Sequence, residues 1–203
     1  MISALILAAG QSRRMGVPKL LLPLGVHPLI ARVADAVLAS SVHETCVVVG
    51  PDSAGIRQAL AARAVRFVVN PHPDEGMLSS VRCGLRAVSP ATKAVLVVLG
   101  DQPGLTTAII NRLFEVSRAG GKGLVLPTHG GQRGHPLLLD LRYREEILHG
   151  YDQTGLRGLL QAHPDAVTEV EMPSPAVLED MDTPEDYQRI TGAYGGVRDG
   201  VAM

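Results

Sequence analysis

A chain of 203 residues can bury a substantial core without disulfide or metal staples, and one domain is the default organisation. Apolar residues make up 46% and aromatics only 3%, so the core must be built from Ala, Val, Leu and Ile, which suits helices packed on a sheet. With 19 Lys plus Arg against 20 Asp plus Glu, the chain has no broad attraction for a nucleic-acid backbone, and no apolar run approaches the ~20 residues needed to span a bilayer.

The first residues, Ile2 to Ala8, form a mostly apolar run that breaks at Gly10, as expected of a strand buried on both faces before a loop. No basic leader precedes it, which with two cysteines lacking metal or redox spacing, Cys46 and Cys83, fits free thiols in a reducing cytoplasm. After Pro28, Leu29 to Leu38 has apolar residues at helical spacing. Thr45 to Val49 reads as a strand, and Asp52 to Arg63 as a helix whose first residue could cap the amides.

Val65 to Val69 reads as a third strand, followed by the turn-rich Asn70 to Gly76 and a helix over Met77 to Val88, where Leu78, Val81, Leu85 and Val88 share one face. Ala94 to Leu99 is a fourth strand, ending at Gly100, Asp101 and Gln102 before a helix over Thr106 to Arg118. Leu124 to Leu126 makes a fifth. This strand, loop, helix order predicts an α/β three-layer sandwich with a mostly parallel, Rossmann-like sheet.

Pro127 to Pro136 contains three glycines and reads as a long surface turn, with Leu137 to Leu139 a short strand. Tyr143 to Leu148 and Thr154 to Ala162 read as helices, and Val167 to Met172 as a strand with one exposed face. Pro184 with Glu185 and Asp186 favours a helix start, and the residues from Gly192 onward read as a flexible tail. The expected organisation is one domain over 1–191, with 127–175 forming much of a lobe on one side and 192–203 the tail.

The segment Leu7-Ala8-Ala9-Gly10-Gln11-Ser12-Arg13-Arg14-Met15-Gly16 joins small residues, glycines and two guanidiniums at the carboxyl end of the first strand, where open α/β sheets bind ligands. Gly10 would let a ligand approach the backbone, loop amides could surround phosphate oxygens, Arg14 could grip two oxygens, and Lys19 could bring a mobile positive charge. It is neither a dinucleotide fingerprint nor a P-loop. Taken alone, such a turn is a solvated loop as readily as a phosphate cradle.

Asp101 follows the strongest apolar run in the chain, where a rigid strand can hold a carboxylate at a pocket rim as an oxygen ligand for Mg²⁺. Asp182 lies in Asp180-Met181-Asp182-Thr183-Pro184-Glu185-Asp186. If that segment returns to the same sheet edge, the two carboxylates can share one metal. Helix capping is the competing role for Asp101, and capping or solvent exposure that for Asp180 and Asp186.

Three further segments carry polar groups at turns. Asn70 and Glu75-Gly76-Met77-Leu78-Ser79-Ser80 place hydroxyls near a helix start, suited either to a base or ribose or to local capping. Gln132-Arg133-Gly134-His135-Pro136 offers an Arg for an anion and a His able to donate or accept; a structural histidine fits that segment as well.

Taken together, LAAGQSRRMGVPK from Leu7 to Lys19, Asn70 to Ser80, Gly100-Asp101-Gln102-Pro103, Gly134-His135-Pro136 and Asp180 to Asp186 resemble the MobA-like nucleotidyltransferases, with Ala8-Ala9-Gly10 resembling their molybdenum cofactor cytidylyltransferase (MocA-like) branch. The resemblance runs from Ile2 through Ile190. It implies that Leu7, Ala8, Ala9, Gly10, Arg14, Lys19, Asn70, Ser80 and Asp101 contact a nucleoside triphosphate, CTP by the branch. It implies Asp101 and Asp182 as ligands of a Mg²⁺ cofactor, with Arg14 and Lys19 completing the catalytic set. Gln132, Arg133, Gly134 and His135 are implied on the acceptor side, for molybdopterin or the molybdenum cofactor. Leu78 departs from the serine frequent in the family.

The implied reaction transfers CMP from CTP to the acceptor phosphate and releases pyrophosphate. Four alternatives stand beside it: a relative using GTP or another phosphorylated acceptor; a sugar-1-phosphate nucleotidyltransferase, less suited to the short chain; an accessory factor for a molybdenum enzyme, with a molybdenum hydroxylase or a chaperone as partner; and a noncatalytic nucleotide-binding regulator.

Overall fold

A computed structural model describes residues 1–12, 15–120 and 122–194, without the side chains of 193 and 194. The elements follow in chain order as β1 (Ile2–Ala8), β2 (Pro23–Leu24), β3 (His27–Pro28), α1 (Leu29–Leu38), β4 (Glu44–Val49), α2 (Ala54–Ala59) and β5 (Arg66–Val69). Then come α3 (Met77–Ala87), β6 (Ala94–Leu99), α4 (Thr107–Arg118), β7 (Leu124–His129), β8 (Gln132–Arg133) and β9 (Leu137–Asp140). The last are α5 (Arg144–His149), α6 (Gly155–Ala162), β10 (Val167–Glu171) and α7 (Pro184–Tyr194).

The main sheet has the order β10-β7-β9-β6-β1-β4-β5, with β8 paired to β7. β1 lies parallel to both β4 and β6, β4 to β5 and β7 to β10, whereas β9 enters between β6 and β7 antiparallel to both. Alternation along the strands divides the core into two layers, as the pleat requires. Ala4, Ile6, Ala8, Leu96 and Val98 face one way, packing with Ile30, Val33 and Val37 of α1 and Ile110, Leu113 and Phe114 of α4. Leu5, Val95, Val97, Leu124 and Leu126 face the other way, against Val81 and Leu85 of α3, Ile147 of α5 and Leu159 of α6. Leu5 and Leu96 are fully buried, each contributing about 2 kcal/mol of transfer free energy. Helices therefore cover both faces, and the expected three-layer α/β sandwich is the observed fold.

Three local expectations are corrected. Asp52 does not cap α2: Ser53 stands at that position and makes no side-chain capping bond, and the helix is only Ala54–Ala59. Pro127 to Pro136 is not a long turn, because β7 continues through His129 and folds back as β8 through Gly130 and Gly131, both at positive φ. Pro127 is tolerated there because the β9 ladder ends at Val125, leaving no amide of residue 127 to be missed on that side. Thirdly, α7 runs on through Tyr194, so 192–194 are helical; the rest of the expected tail lies outside the described residues. Among the described residues no helix is long and apolar enough to cross a membrane.

Candidate active site

The sheet delivers its functional groups to the carboxyl ends of β1 and β6. β1 runs straight into Ala9 and Gly10, and the Gly100 amide donates to the Leu7 carbonyl at 3.0 Å, so the chain segments leaving the two strands stay side by side. Gly100 is required by that proximity. A Cβ there would stand 2.8 Å from the Leu7 carbonyl oxygen, closer than van der Waals contact allows.

Beyond Gly100, the Asp101 carbonyl accepts from the Met181 amide at 3.0 Å, which draws the segment before α7 to the same edge. Thr183 and Asp186 fix that segment through a reciprocal cap: Asp186 Oδ2 accepts from the Thr183 amide at 3.0 Å, and the Asp186 amide donates to Thr183 Oγ1 at 3.2 Å. Asp186 also accepts from Arg189, and these bonds hold its carboxyl down to about 2. Its role is capping, as the sequence allowed.

Lys19 completes the cluster. Its backbone amide donates to Ser12 Oγ at 3.1 Å, and its ammonium lies 2.5 Å from Asp101 Oδ2 and 2.6 Å from Asp182 Oδ1. The Lys19 side chain is 11% exposed and the carboxylates 20% and 25%. Burial alone would lower the ammonium's pKa, but the charges and hydrogen bonds of Asp101 and Asp182 together outweigh it and hold it above the usual lysine value. Asp180 stands close enough to feel both partners: burial first, then Asp182 and Asp101, push its carboxyl up.

Lys19, Asp101 and Asp182 line a cavity of about 390 Å³ with Leu7, Gly10, Gln11, Ser12, Pro73 and Asp74. A second cavity, about 710 Å³, adjoins it across the same loop and is bounded by Ala8, Ala9, Pro51, Asp52 and Gly55. Beyond its chain neighbours, no atom of the described residues lies within 4 Å of a Cβ placed on Gly10, so the loop backbone there is open to the cleft. Ser12, Pro73 and Asp74 were not singled out from sequence. Only Ser12 carried a signal, as the hydroxyl in the loop between Gly10 and Lys19.

Arg14 lies outside the described residues. Asn70 and Ser80 line neither cavity. Asn70 is buried, and its amide nitrogen donates to Ser79 Oγ at 2.8 Å and Ser80 Oγ at 3.0 Å while its oxygen accepts from the His72 amide. It thus braces the loop that carries Pro73 and Asp74.

Gln132 and Arg133 are exposed on β8, and Arg133 pairs with Glu169 of β10 at 2.7 Å. Gly134 is pressed against the Val177 carbonyl, which a Cβ would overlap. His135 donates its amide to that carbonyl at 2.9 Å. Burial lowers the His135 pKa, with Asp101 and Asp180 pulling the other way. The structure therefore gathers Leu7, Gly10, Lys19, Asp101 and Asp182 around one cleft, with His135 within electrostatic reach and Gln132 and Arg133 outside the lining.

Residues 4–167 match the family model for the MobA-like NTP transferase domain. The chain belongs to that family. Similar proteins include nicotine blue oxidoreductase of Paenarthrobacter nicotinovorans, 32% identical over 93% of this chain and 96% of the relative. They also include molybdenum cofactor cytidylyltransferase of Escherichia coli (strain K12), 27% identical over 92% and 93%. The crystal structure of Rv0371C in complex with manganese, from Mycobacterium tuberculosis H37Rv, superposes with a TM-score of 0.80 at 25% identity, covering 95% of this chain and 98% of that one. By family and fold this MobA-like chain is an NTP-dependent nucleotidyltransferase.

Proposed function

We propose that this MobA-like protein transfers CMP from CTP to the terminal phosphate of molybdopterin or its molybdenum-containing form and releases pyrophosphate. The observation that carries the reading is the convergence of Lys19, Asp101 and Asp182 on the cleft beside Gly10 and Ser12. The Ala8-Ala9-Gly10 form and the E. coli cytidylyltransferase relative support the choice of base and acceptor.

In this reading the loop from Gly10 to Ser12 cradles the triphosphate with backbone amides, and the Arg14 guanidinium and Lys19 ammonium neutralise the charge of the departing pyrophosphate. Ala8 and Ala9 keep the floor under the nucleoside small. Asn70, through Ser80 and Ser79, braces the loop facing the nucleotide. Gln132, Arg133, Gly134 and His135 belong to the acceptor side, within a 127–175 segment that forms much of that wall. An acceptor phosphate is already ionised near neutrality, so His135 serves to orient it rather than to take a proton.

Asp101 and Asp182 suit a hard divalent cation. Two carboxylates already share one cationic group, and among the described residues no cluster of three or more His, Cys, Asp or Glu forms a closed cage. That suits an ion such as Mg²⁺, which keeps waters and takes its remaining ligands from substrate phosphates. The manganese complex of the M. tuberculosis neighbour supports metal dependence. When bound, the ion would screen the α-phosphate's charge; the two aspartates would hold it.

The test pairs purified protein with CTP, GTP, ATP or UTP and with molybdopterin or its molybdenum form, measuring pyrophosphate and nucleotide-linked product together. CTP-specific product is expected; product from GTP with an unrelated acceptor would overturn the assignment. The 32% identity to nicotine blue oxidoreductase over nearly the full chain favours a second reading, a redox enzyme on the same fold. It would consume a reduced cofactor and form no pyrophosphate. An accessory role beside a molybdenum hydroxylase in the cytoplasm fits the same fold and would show CTP binding without product.

A further inference from the structure

Lys19 stands where a cation is needed and also at the mouth of the phosphate loop. Its ammonium touches both carboxylates, while its backbone is pinned to the loop through Ser12. Asp101 and Asp182 both line the cavity and share that one ammonium. Two carboxylates held together in a partly buried site repel one another unless a positive charge sits between them. A lysine satisfies this requirement reversibly, since its four-carbon stem lets a compact charge swing while the main chain stays fixed. Gly10, Gln11 and Ser12 line the same cavity as Lys19, so the ammonium needs no backbone movement to reach phosphates held there.

We propose that Lys19 is a resident counter-ion that excludes free divalent metal from Asp101 and Asp182 until a nucleoside triphosphate draws it away, so that metal enters only with the nucleotide. This rests on the assignment of the two aspartates as the metal ligands. The charge of the carboxylate pair is compensated in both states, by ammonium in the free enzyme and by the divalent ion in the loaded one. Lys19 passes from the aspartates to the triphosphate. Metal alone then has to displace a short, charge-assisted ion pair, whereas metal arriving with nucleotide does not.

The experiment measures Mn²⁺ affinity directly, by electron paramagnetic resonance of free ion, for the full-length protein without nucleotide and with CTP. Lys19→Met and Lys19→Gln should bind Mn²⁺ alone at least about tenfold more tightly than the wild type, while Lys19→Arg, which keeps the charge, stays as weak. The two neutral variants differ in shape and polarity, and thermal unfolding identifies any that does not fold. Equal or weaker Mn²⁺ binding by the folded neutral variants, with wild type plus CTP still binding Mn²⁺ through Asp101, overturns the exchange. If Asp101→Asn with CTP binds Mn²⁺ as well as wild type with CTP, the metal-ligand assignment itself is removed.

Discussion

The Met181 amide donates to the Asp101 carbonyl at 3.0 Å, a main-chain bond between the end of β6 and the turn into α7. It fixes the distance between two carboxylates without involving either side chain. Replacement of those side chains should therefore leave the scaffold standing. Asp101→Asn and Asp182→Asn are each expected to lower kcat by about 10²-fold or more, as loss of a preorganised charged group does, with little change in the thermal midpoint. Steady-state turnover beside a melting curve checks both halves; near-normal kcat in either variant removes that residue from the catalytic set.

Gly134 meets the Val177 carbonyl too closely for any side chain. Gly134→Ala must push β8 or the 175–178 turn outward, at a cost of about 1–3 kcal/mol. For a chain of this size that lowers the melting temperature by about 2–4 °C per kcal/mol. Calorimetry measures it, and a midpoint matching wild type would show that the turn yields freely.

Asn70→Ala strips the hydroxyls of Ser79 and Ser80 and the His72 amide of one buried partner. Ser79 Oγ keeps its bonds to the His72 and Gly76 carbonyls, so the cost, about 1–3 kcal/mol, falls on Ser80 and the His72 amide. The loop at Pro73 loosens with it, so KM for the nucleotide should rise more than kcat falls. A urea titration with a substrate-dependence series separates the two effects; an unchanged urea midpoint contradicts the bracing role.

The carboxyl of Asp186 is held down to about 2 from an ordinary 3.8. A depressed acid stabilises the fold above its unfolded pKa and loses that contribution as pH falls through the folded value. Asp186→Ala should cost about 1 kcal/mol at pH 7, in line with loss of a cap, with the difference from wild type shrinking between about pH 4 and pH 2. Parallel urea midpoints across that range give the answer, and a pH-independent gap would mean that the cap acts by shape alone.

Much of this layout is legible in the sequence. Ile2 to Ala8, Leu29 to Leu38 and Ala94 to Leu99 coincide with β1, α1 and β6, because uninterrupted apolar runs and helical spacing report burial directly. Thr106 caps α4 by accepting from the Ile109 amide at 3.3 Å, at the expected helix start. Asp52 misled because a capping residue is readable as a type, while its φ and ψ are not. Pro127 misled because proline in a strand is forbidden only where its amide would be needed, and that depends on where the β9 ladder stops. The antiparallel entry of β9 has no local signature.

Lys19, Asp101 and Asp182 could each be named in advance. The approach of the two aspartates is implied by the resemblance alone, because physically it depends on sheet order and on one main-chain bond at Met181; the seating of the Lys19 ammonium between them has no local signal. Asn70 shows the reverse limit: a polar residue in a turn reads as a ligand contact, yet its amide is committed to Ser79, Ser80 and His72.

The position of β9 bears on how the protein is made. β6 cannot complete its hydrogen bonding on one side until Leu137 to Asp140 have been synthesised, and the cleft needs Asp182, 163 residues from Lys19. Contacts of that sequence separation make folding slow relative to chains held by neighbours. During translation the nucleotide loop therefore emerges long before the carboxylates that neutralise Lys19. Until the segment before α7 has been made, Lys19 lacks its Asp182 partner.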